Sequence, residues 1–429
     1  MRKSGKRGVS AGTIFVLILM LLVLAGTVLV IMRLSSGEPI DLTRLRPAEQ
    51  PEENPASETT ALQEIPAATE PPVPAATPVP AGQAPEDQGP RNISITFAGT
   101  VALAGEVRTN SYYSDVKQYD FYDTMTLLKK ELQSDLNVVF LENILSEEGK
   151  TSDTVATNAA AAMLKAAGFN TAACGFSRAF DKAESGIAAT RKILGEHGIV
   201  TVGIYESSAQ REQRILEVNG IRIALLEYTG TISADTRKKM TKQDLTWAIP
   251  YADAETIAGD IAAAKAQGCD VVIVLLNWGK VGKAPDKAQR TLAQKIADAG
   301  ADLIVGNGSR IVSGAEMLTA ADSGRQILCV WSLGTTLSGD RSGIKRIAGM
   351  LLHITITSEN GHTEIGGFAY TPLYTWKYKM DGRYYYRCMA ANMDVPDGMD
   401  AEQQKKMKQA AETVRKAMKD TPAEERTHE

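Results

Sequence analysis

Histidine is scarce in this chain: His197, His353, His362 and His428 are the four in 429 residues. A site that needs several imidazoles and carboxylates around borderline cations has little to draw on. None of the four falls in a turn after an apolar strand. His197 closes a helical stretch, His353 sits in a strand, His362 in a hairpin turn and His428 in the tail. Cysteine is equally sparse. Cys174, Cys269, Cys329 and Cys388 lie far apart with no CxxC, which leaves buried thiols, or one disulfide if the domain lies outside the cell. Basic excess is absent too. A net charge of −4 argues against nucleic acid as a partner, because phosphates need cations to neutralise them. No G-x-S-x-G elbow and no G-x-x-x-x-G-K-[ST] loop occurs, and no Cys and His share a predicted loop.

Long apolar runs are lacking except for one. Ala11 to Met32 carries no charge and comes after Arg2, Lys3, Lys6 and Arg7. About 20 apolar residues cross a bilayer as a helix, and the basic flank favours a cytoplasmic N-terminus. The expectation is a cytoplasmic tail (1–10) and a transmembrane helix (11–33), with everything after it extracytoplasmic. A cleaved signal peptide is the alternative; the run is long for one and lacks a clear A-x-A site. Proline is then concentrated: 12 of 17 fall in 36–90. A stretch so poor in aromatic residues cannot bury a core, so 34–91 reads as a disordered, extended linker.

From Asn92 the pattern is α/β. Ile93, Ile95 and Phe97 alternate with Ser94, Thr96 and Ala98, a strand period expected to end at Gly99. A helical period near 122–133 precedes the apolar run 137–141. Four later segments repeat one punctuation, a helix closed by Gly and then a short apolar strand: 157–167, 184–197, 253–267 and 286–299, closed by Gly168, Gly198, Gly268 and Gly300. Asn219-Gly220 and Asn360-Gly361 are hairpin signals between β-prone runs. Antiparallel pairs thus interrupt the alternation, and the sheet is expected to be mixed. After Asp400, an N-cap with Gln403 placed for a capping box, Met407, Ala410, Ala411, Val414 and Met418 form an apolar stripe opposite a basic face. The segment 396–429 reads as a C-terminal helix and tail after a domain over 92–395.

Polar residues come directly after the strands: Thr100; Glu142; Arg178 and Asp181; Asn277, Trp278 and Lys280; Asn307 and Arg310; Thr335. In open α/β folds ligands bind beyond the carboxyl ends of strands, so these describe one candidate pocket.

The order of segments resembles the bacterial capsule-synthesis CapA family, linked to poly-γ-glutamate and having a calcineurin-like metallophosphoesterase fold. Leu164-Lys-Ala-Ala-Gly-Phe-Asn170 with Gly198-Ile-Val-Thr-Val-Gly203 carries the likeness, as do Asp270–Gly279, Ala299–Gly306 and Trp331-Ser-Leu-Gly-Thr335. The resemblance implies a layered, mixed-sheet sandwich. Its site motifs depart here. Where the family has "GD", this chain has Gly99-Thr100. Its "NLE" keeps Leu141-Glu142, and its "NNHxxD" keeps Asp181 but reads Arg178 for His. Its "HWG" reads Asn277-Trp278-Gly279. Gly306-Asn307-Gly308-Ser309-Arg310 stands for "GHxPH", and Thr335 for the closing Asn.

Glu142 and Asp181 alone make a poor metal cage, so no metal or other cofactor is expected, and these two are the candidate catalytic carboxylates if chemistry persists. Arg178 and Arg310, with Lys280 beside a third family position, would suit carboxylates or phosphates. The reading is a non-catalytic binding or scaffold component of anionic envelope-polymer assembly, working with the membrane, the polymer or capsule-synthesis membrane proteins. The alternatives are an active hydrolase or transferase with a rebuilt site, and a structural partner of other membrane proteins.

Overall fold

The computed structural model describes residues 89–208, 211 and 214–427. The expected basic tail, transmembrane helix and His428, and the linker up to residue 88, lie outside the described residues. Among the described residues no helix is long and apolar enough to cross a membrane.

The strands in chain order are β1 (Arg91–Val101), β2 (Tyr112–Tyr113), β3 (Gln118–Tyr119), β4 (Leu136–Leu141), β5 (Ile144–Ser146) and β6 (Val155–Thr157). Then come β7 (Thr171–Ala173), β8 (Val200–Val202), β9 (Arg214–Val218), β10 (Ile221–Thr229), β11 (Val271–Asn277) and β12 (Leu303–Asn307). The last are β13 (Ala315–Thr319), β14 (Gln326–Val330), β15 (Thr335–Leu337), β16 (Ala348–Glu359), β17 (His362–Met380), β18 (Arg383–Ala390) and β19 (Glu424–Glu425). Two mixed sheets result. One runs β18-β17-β16-β1-β4-β7-β8, with β15 also on β1 and β19 on β17; the other runs β13-β14-β12-β11-β10-β9. The sequence pattern pointed to a mixed sheet. Its two halves form separate sheets, because β1 and β10 both turn their apolar residues into one shared core.

That core holds Ile93, Ile95 and Phe97 of β1 against Ile223 and Leu225 of β10 and Ile273 and Leu275 of β11. The outer face of the first sheet is covered by helices Ala159–Ala167 and Ala183–Glu196, the outer face of the second by Ala254–Ala266 and Lys287–Asp298. β11 is buried at every residue, as a parallel strand covered on both faces must be. The four helices end where Gly punctuates the sequence, as at Gly168 (φ 111°), whose left-handed conformation lets it close the preceding turn. Asp286 caps its helix in a full capping box with Gln289.

Three expectations are corrected. No α-helix spans 122–133. The chain makes two short 3₁₀ turns instead, Tyr122–Thr124 and Thr126–Leu128. Thr124 Oγ1 donates to the Phe121 carbonyl and Thr126 Oγ1 to that of Asp123, local bonds that compete with a helical ladder. Gly99 does not end β1, which runs on to Val101 through a register shift. At the C-terminal helix (Ala401–Met418) the Asp400 carboxylate accepts from the Gln403 N–H at 2.8 Å, but the Gln403 side chain accepts from Tyr374 Oη rather than closing the box. The stripe Met407, Ala410, Ala411, Val414 and Met418 is buried in the inter-sheet core, so the tail shares the domain's core. The four cysteines stand as free thiols.

Gly99 is required by a close approach. A Cβ there would lie 2.4 Å from the Gly334 carbonyl oxygen. Gly99→Ala is expected to lower stability by about 2–3 kcal/mol, as overpacking does; denaturant midpoints of the two chains measure it, and an unchanged midpoint contradicts the constraint.

Candidate functional site

β1 and β4 are parallel neighbours with Val101 opposite Leu141. Thr100 and Glu142 therefore emerge at the same carboxyl edge. β15 pairs in parallel with β1 and sets Thr335 opposite Thr100. β12, from the second sheet, delivers Asn307 to the same point. Thr100 Oγ1 donates to Glu142 Oε1 at 3.0 Å, and the Asn307 amide lies 2.8 Å from Thr100 Oγ1 and 3.2 Å from the Gly334 carbonyl. Thr100 and Asn307 are fully buried, and Glu142 is 7% exposed.

The second carboxylate oxygen belongs to Arg310. Its Nε donates to Glu142 Oε2 at 2.9 Å, and its Nη2 bonds the same oxygen. Arg310 adopts φ 57°, a left-handed conformation uncommon for a side chain of this size. Its carbonyl is tied down in return, accepting from Thr335 Oγ1 at 3.1 Å and from Arg346 Nη1 at 3.3 Å. Arg346 is held by Asp340 at 2.7 Å. Burial pushes the Asp340 carboxyl up, but hydrogen bonds from Ser342 and Arg346 outweigh it and hold it at about 2. A chain of polar contacts thus runs from Asp340 through Arg346 and Arg310 to Glu142.

The predicted residues are brought together in part. Thr100, Glu142, Asn307, Arg310 and Thr335 form one bonded network. Asn277 and Trp278 adjoin it: the Trp278 N–H donates to the Asn307 carbonyl at 2.9 Å, and Asn277 Oδ1 crowds Gly308. Trp278 stacks on Trp331 with centroids 5.8 Å apart and donates from Nε1 to the Trp331 carbonyl. Arg178 and Asp181 stand apart as a pair at 2.6 Å, with Asp181 also accepting from Thr236 Oγ1. No hydrogen bond or ion pair joins them to Glu142 among the described residues. Lys280 is exposed.

Two further features, the Asp340–Arg346 pair and Glu227, carry no signal in the sequence. Asp340 and Arg346 lie in loop and helix positions with no periodic signal. Asn143, which comes with Glu142 at the polar end of that strand in the sequence, is fully buried; its Oδ1 accepts from the Leu103 N–H at 2.8 Å, while its Nδ2 has no partner. Glu227 sits inside a strand that reads as apolar. Its Oε1 accepts from the Gly175 N–H at 3.0 Å, while Oε2 is buried without a partner. Burial pushes its carboxyl up to about 8, against the pull of the Gly175 and Cys174 amides.

The metal centre that the resemblance implies does not suit this donor set. One carboxylate, two amides and two threonine hydroxyls converge, and a guanidinium already holds the carboxylate. Divalent cations in such centres are held by imidazoles and several carboxylates. Among the described residues no three His, Cys, Asp or Glu side chains gather as a metal-binding group.

Arg310→Met leaves Glu142 buried and unpaired. It is expected to cost about 3 kcal/mol, the low end for a broken buried pair because Arg310 keeps nearly a third of its side chain exposed. Arg310→Met with Glu142→Gln should recover much of that loss by denaturant unfolding, and no recovery would contradict the pairing. For Glu227, the folded chain keeps the proton to about pH 8, whereas an unperturbed carboxyl loses it near 4.5. Its contribution to stability is full below the unfolded value and is lost as pH rises through about 8. Glu227→Gln should flatten the fall in melting temperature across that window.

The Bacterial capsule synthesis protein PGA_cap family matches residues 94–340. The PGA biosynthesis protein CapA of Bacillus subtilis (strain 168) is 31% identical over 138 residues, 31% of this chain and 35% of that protein. The alignment thus spans about a third of that relative. Among solved structures, the calcineurin-like phosphoesterase YfkN from Bacillus subtilis is 11% identical, with a TM-score of 0.37 over 76% of this chain and 99% of that one. The sulfate thiohydrolase SoxB of Thermus thermophilus is 10% identical, with a TM-score of 0.34 over 69% and 47%. At those scores the two likenesses carry no argument about chemistry. With more than half of its residues matched, the chain belongs to the bacterial capsule synthesis protein family.

Proposed function

We propose that this protein is a membrane-anchored component of the assembly of an anionic capsule polymer of the poly-γ-glutamate type, acting by binding or scaffolding rather than by cleaving the chain. Family membership supports the capsule role. The apolar run 11–32 behind its basic flank supports an anchor with the folded domain outside the membrane, and the Pro-rich stretch supports a spacer.

The observation that carries the non-catalytic reading is the state of Glu142. Both of its oxygens are engaged, Oε1 by Thr100 and Oε2 by Arg310. With its charge matched by the Arg310 guanidinium and Oε2 already accepting two bonds, this carboxylate is poorly placed to serve as a metal ligand or a general base. Arg310 is in turn neutralised, as is Arg178 by Asp181. The strand-end network therefore works best as a rigid plug joining the two sheets, on which other surfaces bind.

The full chain, incubated with Mn²⁺, Fe²⁺ and Zn²⁺ and then washed, should retain well under one equivalent of metal by elemental analysis. It should also leave the length distribution of poly-γ-glutamate unchanged. Stoichiometric metal, or shortening of the polymer that Glu142→Ala abolishes, would overturn the reading in favour of an active hydrolase or transferase.

A further inference from the structure

A cleft of about 360 Å³ lies between the loop after β15, strand β17 and the C-terminal helix. Three cations line it, Arg341, Lys377 and Lys406, and no carboxylate does. Its apolar side is formed by Ile344 and Ile347, and Gln403 and Gln409 present amides from the helix. All of these residues lie beyond the span matched by the family, 94–340.

The three cations differ in how well they are satisfied. Lys377 Nζ lies 2.5 Å from Glu106 and 4.1 Å above the centre of the Tyr384 ring. Lys406 reaches Glu402, one turn earlier on the same helix, at 2.5 Å. Arg341 has no such carboxylate: its Nη1 is buried without an acceptor, and among the described residues none of the ion pairs includes it. Its guanidinium lies 5.6 Å from the centre of the Tyr386 ring, a cation–π distance. The neighbouring arginines are satisfied, Arg310 by Glu142 and Arg346 by Asp340. Burial pushes the Arg341 pKa down, so the fold bears a desolvation cost there with no hydrogen-bonded anion to offset it.

From this geometry we infer that the cleft is a binding site for a carboxylate-bearing chain, with Arg341 taking one carboxylate in its planar fork and Lys377 and Lys406 holding its neighbours. Methylene units between the carboxylates lie on Ile344 and Ile347, and the chain's own amides meet Gln403 and Gln409. A guanidinium suits a carboxylate bidentately, and two ammonium groups on flexible stems track the next charges along the chain. The identity of the chain rests on the capsule-polymer reading above; the site rests on the cleft itself.

The test is calorimetric titration of the full chain in mild detergent with a short poly-γ-glutamate oligomer, its methyl ester and a polyphosphate of equal charge. Binding of the free acid, none of the ester and weaker binding of polyphosphate are expected. Arg341→Gln should weaken binding by about tenfold with little change in melting temperature, since the largely buried guanidinium makes no direct ion pair among the described residues and feels Glu106 and Asp340 only at longer range. Lys406→Glu, on a half-exposed helix face where folding is not at stake, should weaken it similarly. Lys416→Glu, an exposed reversal elsewhere on that helix, should not. Binding by the wild type that neither Arg341→Gln nor Lys406→Glu weakens overturns the site and leaves the polymer reading standing. No binding by the wild type overturns both. Polyphosphate binding tighter than the polycarboxylate overturns the assignment of the ligand.

Discussion

Two glycines brought nearly into backbone contact hold this architecture together. Gly99 lies so close to Gly334 that no Cβ fits between them, and the Thr100 N–H donates to the Gly334 carbonyl at 3.0 Å. Gly334 comes after the second sheet's β14 and immediately precedes β15 of the first. The same seam repeats at Gly349, where a Cβ would lie 2.2 Å from the Thr335 carbonyl oxygen. These approaches let β15 lie beside β1 and place Thr335 opposite Thr100. Asn307, from the other sheet, then meets the pair. A bulkier residue at either glycine would push the strand ends apart, and the polar network at the edge would open with them.

Charge at that edge obeys one rule, that a buried ion must be paired. Glu142 has Arg310, Asp181 has Arg178, and Asp340 has Arg346. The strained backbone of Arg310 serves the same end, aiming its guanidinium at Glu142 while Arg346 and Thr335 hold its carbonyl. Sites that bind and release charged ligands keep some charge unmatched. By that criterion the strand-end network is closed, and the open position lies next to it at Arg341. The loop that carries Arg341 also carries Asp340, so the support of the closed network and the lining of the cleft are built from adjacent residues. Residues 341–427 contribute β16, β17, β18 and the C-terminal helix to the same core as the family-matched span, which makes this cleft an integral part of the domain.

Much of the architecture was legible along the chain because its signals are local. Alternation in Ile93–Ala98, the Asn-Gly hairpins and the helix-closing glycines each depend on a few neighbouring residues. The same locality explains the failure at 122–133, where threonine hydroxyls competing for backbone carbonyls are invisible to a count of apolar positions. The site was legible by position. Thr100, Glu142, Asn307, Arg310 and Thr335 stand where apolar strands give way to polar turns, and the strand ends that carry them meet as the carboxyl-edge rule expects. Arg178 and Asp181 satisfied the rule equally well but turn to each other and to Thr236.

Composition and periodicity alone settled the alternation of helix and strand, the turn positions, the apolar stripe of the last helix and the shortage of imidazoles. They do so because backbone preference and amphipathic spacing act over a few residues. Pairing was decided only by the tertiary fold: the split into two sheets, the partner that neutralises each arginine, the burial of Glu227 against Gly175, and the absence of an ion-pair partner for Arg341. Arg310 and Glu142 are 168 residues apart in sequence, and no local signal shows which of two arginines will find a carboxylate and which will be buried without one.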